Sequence, residues 1–303
     1  MGSFDETGHD PPPPFDLRRP ASQSVPFIYA SPHSGTYYPP DFVAAAALDP
    51  LGLRRSEDAF VNRLFGAAFD CGAPLLAATY PRVYVDLNRE PYELDPAMFS
   101  GPLPEFVNTN SARVSVGLGT LARVVANGAA IYRGKIAFAE ARARVERIYV
   151  PYHTALRRLI AQTQGAFGCA VLVDCHSMPS TGGPFDRDSG RRRGEIILGD
   201  RFGTSCAGVI VDVAEKTMRG LGYRVRRNEP YAGGFVTQNY GRPGNGVHAL
   251  QIEINRSLYM DEAAIEPGPG FDRLAQNLGQ LIRALAEIDG EALRPEAYGE
   301  AAQ

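Results

Sequence analysis

The stretch CAVLVDCHSMPS, Cys169 to Ser180, decides the fold. Cys169 to Val173 is an unbroken apolar run, and such a run reads as a strand of a parallel sheet covered on both faces. It breaks off into Asp174, Cys175 and His176, which puts a histidine at a strand end in a chain that has 5 in all. A strand-end histidine is most often a hydrogen-bonded structural residue. In an open α/β sheet, however, the ends of parallel strands are where ligands bind, so His176 is also a candidate metal ligand.

Working outward, EIILGD (Glu195 to Asp200) and VHALQIEINRS (Val247 to Ser257) repeat the form, the second with Glu253 set between Ile252 and Ile254. Upstream, VPFIYA (Val25 to Ala30) leads into SPHSGTYYPP, where glycine and proline enforce a loop and His33 lies just past the strand. Pro74 to Thr79 and Arg82 to Leu87 (RVYVDL) read as two further strands, the second delivering Asn88-Arg89-Glu90-Pro91. Helical spacing of Phe60, Val61, Leu64 and Ala68 predicts a helix stopped by Gly72, with Ser56-Glu57-Asp58 just before it. Leu121 to Gln164 predicts two helices broken near Pro151, and FDRLAQNLGQLIRALAEI (Phe271 to Ile288) an amphipathic helix packed on the sheet. The glycine-dense GGFVTQNYGRPGNG reads as a mobile loop near a site, with Tyr231 to Gly246 the segment expected to close.

Strands alternating with helices imply an α/β sandwich. No repeat or linker divides the body, so residues 1–22 read as a poorly ordered arm and residues 23–303 as a single domain. The 303 residues are 44% hydrophobic and 21% charged, ordinary globular usage. A formal net charge of -3 and the lack of a basic stripe argue against nucleic acid as a partner. The basic triplet Arg191 to Arg193 reads as a solvated loop. No apolar run approaches the roughly 18 residues needed to span a bilayer, and no secretory signal opens the chain. Cys71, Cys169, Cys175 and Cys206 form no CxxC pair, which predicts reduced thiols in a cytoplasmic protein. Cys175 reads as a small buried hydrophobe rather than a nucleophile, because adjacent strand residues point to opposite faces.

The residues that carry chemistry are few. A hydrolytic zinc site takes three imidazole or carboxylate ligands and keeps a position open. His33 and His176 each follow a strand, and Glu57 or Asp58 completes the set; the competing reading is that these two acids cap a helix. Glu253 in an apolar strand needs a partner, either a reaction that uses its proton or an ion pair with an arginine such as Arg256. His9, His153 and His248 lie in contexts that do not suit a ligand.

With these residues in place, SPHSGTYYP, ED-x-FV-x-RLF, PRVYVDLNRE, VLVDCHSMPS, GGFVTQNYG and LQIEINRSLYMDE, in that order from Val25 to Glu262, resemble the N-formylglutamate amidohydrolase family. The resemblance implies a fold related to the zinc carboxypeptidases, a three-layer α/β/α sandwich with a mixed, mainly parallel sheet. It implies hydrolysis of N-formyl-L-glutamate to formate and L-glutamate at the end of a histidine degradation route. Carried over by motif, His33, Asp58 and His176 become the ligands of one divalent metal, zinc by the donor set, with Glu57 the alternative to Asp58. Glu253 becomes the general base and acid. A dianionic substrate needs guanidinium forks, for which the resemblance offers Arg89 first, assisted by Asn88, then Arg82 and Arg256, any of which also suits the oxyanion. The alternatives are another N-acyl amino acid as substrate or a non-enzymatic acidic-amino-acid-binding protein on the same fold. Oligomeric state is not legible.

Overall fold

In the computed structural model, which describes residues 10–184, 186 and 188–295, the stretch quoted above is the central strand of a seven-stranded sheet. In chain order the strands are β1 (Phe15–Arg18), β2 (Phe27–Ser31), β3 (Leu75–Ala78), β4 (Ala170–Met178), β5 (Ile196–Gly199), β6 (Val225–Arg227) and β7 (Val247–Asn255). Across the sheet they run β1-β3-β2-β4-β7-β5-β6. β3, β2, β4 and β7 are mutually parallel, whereas β1 at one edge and β5 with β6 at the other run against them. The sheet is therefore mixed and mainly parallel.

β4 shows why there are three layers. Val171, Val173 and Cys175 pack on one face with Leu64, Ile210, Val211, Leu278 and Leu281. Ala170 and Leu172 pack on the other face with Tyr152, Leu156, Leu159 and Ile160 of the helix Val150–Phe167. A side-chain period of two on a strand buried along its whole length thus feeds one core on each side, and helices cover both. The helix Phe271–Ala286 carries its apolar stripe, Leu274, Leu278, Leu281, Ile282 and Leu285, into the first of these cores. No helix among the described residues is long and apolar enough to cross a membrane.

Several elements differ from the sequence reading. Phe15–Arg18, placed in the arm, forms the edge strand β1 and pairs antiparallel with β3, so the ordered fold begins before residue 23. Residues 1–9, His9 among them, lie outside the described residues. Arg82 to Leu87 is no strand but a turn started at Pro81, whose carbonyl accepts from the Tyr84 and Val85 amides. Its alternation is real but divides Val83 and Val85 between two different apolar clusters.

The helix predicted after Asp58 is two short ones, Val61–Leu64 and Ala67–Asp70, and residues 121–136 are irregular. Pro151 breaks nothing: helix runs from Phe138 to Phe167, and the wider π-turn Val145–Tyr149 just before the proline accommodates its missing N–H and its ring. The glycine-dense segment is partly helical, Phe235–Tyr240, and packs closely: a Cβ on Gly234 would lie 2.5 Å from Asn88 Nδ2.

Candidate active site

The face of β4 that buries Ala170 and Leu172 in its first half carries Asp174 and His176 in its second. β7 is in parallel register with it, pairing Asp174 with Gln251 and His176 with Glu253. Gln251 and Glu253 therefore share that face. β2 ends at Ser31 and hands the chain to the turn that holds His33. Asp58 is tied to the same turn, its amide donating to the His33 carbonyl at 3.0 Å.

These elements bring His33, Asp58 and His176 into one buried group whose possible ligand atoms lie within 4.8 Å of one another. Asp58 Oδ2 is 2.9 Å from His176 Nδ1 and 3.4 Å from His33 Nδ1. The other nitrogen of each ring is occupied by a carboxylate: His33 Nε2 meets Asp86 Oδ1 at 2.7 Å and His176 Nε2 meets Asp174 Oδ2 at 2.9 Å. Such carboxylate–imidazole pairs fix ring orientation and tautomer, and here they leave both Nδ1 atoms to face Asp58. His33 Nδ1 is buried with no hydrogen-bond partner among the described residues, an orphaned atom that a cation would satisfy. The donor set of two imidazoles and a carboxylate suits zinc, so the residues fit a metal.

Asp58 and Glu57 separate cleanly. Glu57 turns away to accept from Tyr38 Oη at 2.5 Å and from the Arg54 guanidinium at 3.1–3.2 Å. No side chain caps the helix at Val61, so the capping account of these acids fails too. Asp58 is held in place by Arg256, whose Nη2 donates to Oδ1 at 3.0 Å while its other nitrogens donate to Ser177 Oγ and the Arg55 carbonyl. Burial works against the charge of Asp58, yet the hydrogen bond from His176 and the nearness of His33 keep its carboxyl well below the usual range. Asp86 is held low as well: its burial is outweighed by Arg82 and then His33. The group is thus a negatively charged nest around two imidazoles.

All the other sequence candidates line the cavity above it: Glu253, Arg82, Asn88, Arg89 and Arg256, together with Tyr231 of the segment expected to close and with Arg113 and Gln251, which no sequence signal marks. Glu253 accepts from Gln251 Nε2 at 2.9 Å. Burial pushes its carboxyl up to about 7, with His176 pulling down and Asp58 pushing up. Arg82 donates to Asp86 Oδ2 at 2.8 Å. Asn88 is fixed at both ends, its Nδ2 donating to Asp174 and its Oδ1 accepting from the Val236 amide at 2.7 Å. Among the described residues Arg89 donates only to carbonyls, those of Leu118 and Asn88, at 3.1 and 2.8 Å.

Elsewhere Cys175 lies in the apolar layer with its thiol pushed far up by burial, unfit as a nucleophile. Arg193, read as solvated, is instead buried against Asp186 and Asp188. Two acids that orient the histidines also went unassigned. Asp174 had a signal, since residues two apart on a strand share a face with His176. Asp86 had none, because its position depends on the turn at Pro81.

A histidine–carboxylate–histidine group at the ends of parallel strands, with an arginine-lined cavity above it and a carboxylic acid poised near neutrality, defines a hydrolase of the α/β class. The family model for N-formylglutamate amidohydrolase matches residues 25–260, and the chain belongs to that family. N-formylglutamate deformylase from Pseudomonas aeruginosa is 32% identical over 266 residues, covering 87% of this chain and 92% of its own. The deformylase of Pseudomonas putida is 30% identical over 268 residues, covering 86% and 92%. The crystal structure of N-formylglutamate amidohydrolase from Ralstonia eutropha JMP134 superposes with a TM-score of 0.82 at 38% identity, over 90% of this chain and 97% of that one. The gene product Atu2144 from Agrobacterium tumefaciens shares the fold at 21% identity, with a TM-score of 0.64 over 91% of this chain and 96% of its own. The protein is accordingly an enzyme that hydrolyses an amide bond.

Proposed function

We propose that the protein hydrolyses the N-formyl amide of N-formyl-L-glutamate to formate and L-glutamate, with one divalent metal, zinc by its donor set, held by His33, Asp58 and His176. The observation that carries this reading is the convergence of both histidine Nδ1 atoms on Asp58, backed by two carboxylates and adjoining a cavity with arginines to spare. The names of its relatives supply the substrate. When bound, the ion would polarise the formyl carbonyl and acidify water.

The protein's own groups do the rest. Arg89, with no carboxylate partner among the described residues, takes the substrate α-carboxylate as a bidentate fork and sets the amide over the cluster. Arg82, pinned by Asp86, supplies positive charge where the carbonyl oxygen becomes anionic. Glu253 takes a proton from the attacking water and hands it to the departing nitrogen, so one carboxyl serves as base and then acid. Its pKa of about 7 matches that two-way traffic near neutral pH. Arg256 does not touch substrate in this scheme; it holds Asp58. A cytoplasmic location belongs to the same proposal, since the unpaired thiols suit a reducing compartment.

The test is formate release from N-formyl-L-glutamate alongside acetate release from N-acetyl-L-glutamate. Formate with little acetate supports the reading, and a preference for the acetyl compound overturns the substrate.

A further inference from the structure

Among the described residues four arginines line the cavity, and they differ in what already holds them. Arg82 is paired with Asp86 and Arg256 with Asp58. Arg89 is bonded only to backbone carbonyls, and Arg113, exposed at the cavity wall, makes no ion pair or side-chain hydrogen bond among the described residues. The two less committed arginines are joined through one loop. The Leu118 amide donates to the Arg113 carbonyl at 2.9 Å, and the Leu118 carbonyl accepts from Arg89 Nε at 3.1 Å. Gly117, in the left-handed region at φ 78°, makes the turn between them, and Ser111 Oγ, accepting from the Val114 amide, anchors its start.

The acids that border these arginines are engaged elsewhere. Glu93 accepts from Ser111 Oγ, and Asp186 is bonded to Arg193 at 2.6 Å. Arg89 is drawn below the ordinary guanidinium range, first by burial and then, against the pull of Asp86, by the charge of Arg113. Two guanidiniums that line one cavity, neither in an ion pair among the described residues, are arranged for an anionic ligand that carries more than one charge.

We propose that Arg113 is a specificity residue: Arg89 holds the carboxylate beside the scissile amide and Arg113 the one at the end of the substrate side chain, so the cavity selects dicarboxylic N-formyl amino acids over neutral ones. The inference rests on the proposed function and names the subsite that gives it acidic selectivity.

The experiment compares kcat/KM for N-formyl-L-glutamate and N-formyl-L-glutamine in the wild type, Arg113→Ala and Arg113→Lys, and measures glutarate and butyrate binding to the same proteins by calorimetry. Arg113 is exposed, so the alanine variant should fold. In Arg113→Ala the preference for formylglutamate falls by about tenfold or more, through KM, and glutarate binding weakens by a similar factor relative to butyrate. Lysine, a charge without the fork, recovers part of both. An unchanged preference, or equal losses on both substrates, overturns the assignment. If the wild type releases no formate from either compound, the functional reading fails by itself, and unaltered glutarate affinity in Arg113→Ala would still separately refute the arginine's role.

Discussion

Four histidines of this protein, His33, His153, His176 and His248, are buried to the same degree, at 2%, 2%, 2% and 0% exposure, so accessibility does not distinguish a ligand from a structural residue. Their partners do. His33 and His176 each set one nitrogen against a carboxylate and aim the other at Asp58. His153 bonds Tyr240 Oη at 2.8 Å and the Leu87 carbonyl at 2.9 Å, and His248 bonds the Ala207 amide and the Leu293 carbonyl. In the first pair, burial works against a charge on His176, but Asp174 and Asp58 raise its pKa well above the ordinary value; burial holds the second pair neutral and drives their pKa values down. A buried imidazole becomes a candidate ligand when a carboxylate fixes its far side and its near side is left facing an anion.

The comparison can be broken most sharply at the ligands. His33→Ala or His176→Ala should lose stoichiometric zinc and lower kcat/KM by on the order of 10³-fold or more, whereas His153→Gln should retain the metal; elemental analysis with formate assays decides it. Loss of metal in both classes would erase the distinction. Glu253→Gln should keep one metal per chain and lose about 10²- to 10⁴-fold in kcat, since it removes proton transfer and leaves the cluster intact. A variant with near-normal turnover would take Glu253 out of the mechanism.

The orienting carboxylates come next. Asp86→Asn and Asp174→Asn should each weaken zinc affinity by about 10- to 100-fold, while Tyr240→Phe, which removes a partner of His153, should leave it unchanged in a competition with a zinc chelator. The smallest effect lies on the structural side. His153 is depressed by burial to about 4, so its neutral form favours folding at pH 7 and that contribution is lost as pH falls from about 6.5 toward 4. Between pH 7 and 5 the loss is about 2 kcal/mol, read as the difference in denaturant stability between wild type and His153→Gln. Equal pH slopes in the two proteins would show that His153 stays neutral without cost.

Much of this contrast was legible in the chain, and the exceptions have physical reasons. Long apolar runs announced β4 and β7, and polar residues interrupting them announced His176 and Glu253, because a buried charge in a strand needs an explanation. His33 and Asp58 were legible as motif residues, but choosing Asp58 over Glu57 needed the direction of each side chain, seen in the pairing of Glu57 with Arg54 and of Asp58 with Arg256. Local patterns misled where tertiary context overrode them. RVYVDL alternates like a strand yet turns, Pro151 sits within a helix because a π-turn precedes it, and FDLR finds a sheet edge although prolines lead into it. Arg113 had no pattern at all, since its significance lies in the acids that do not reach it.

The most direct measurement titrates metal-stripped protein with zinc and follows, in the same samples, bound zinc per chain and formate released from N-formyl-L-glutamate. If His33, Asp58 and His176 form the one metal site on which the reaction depends, both signals rise together and level off at one zinc, and His33→Ala shows neither. Full formate release by the stripped protein would contradict it.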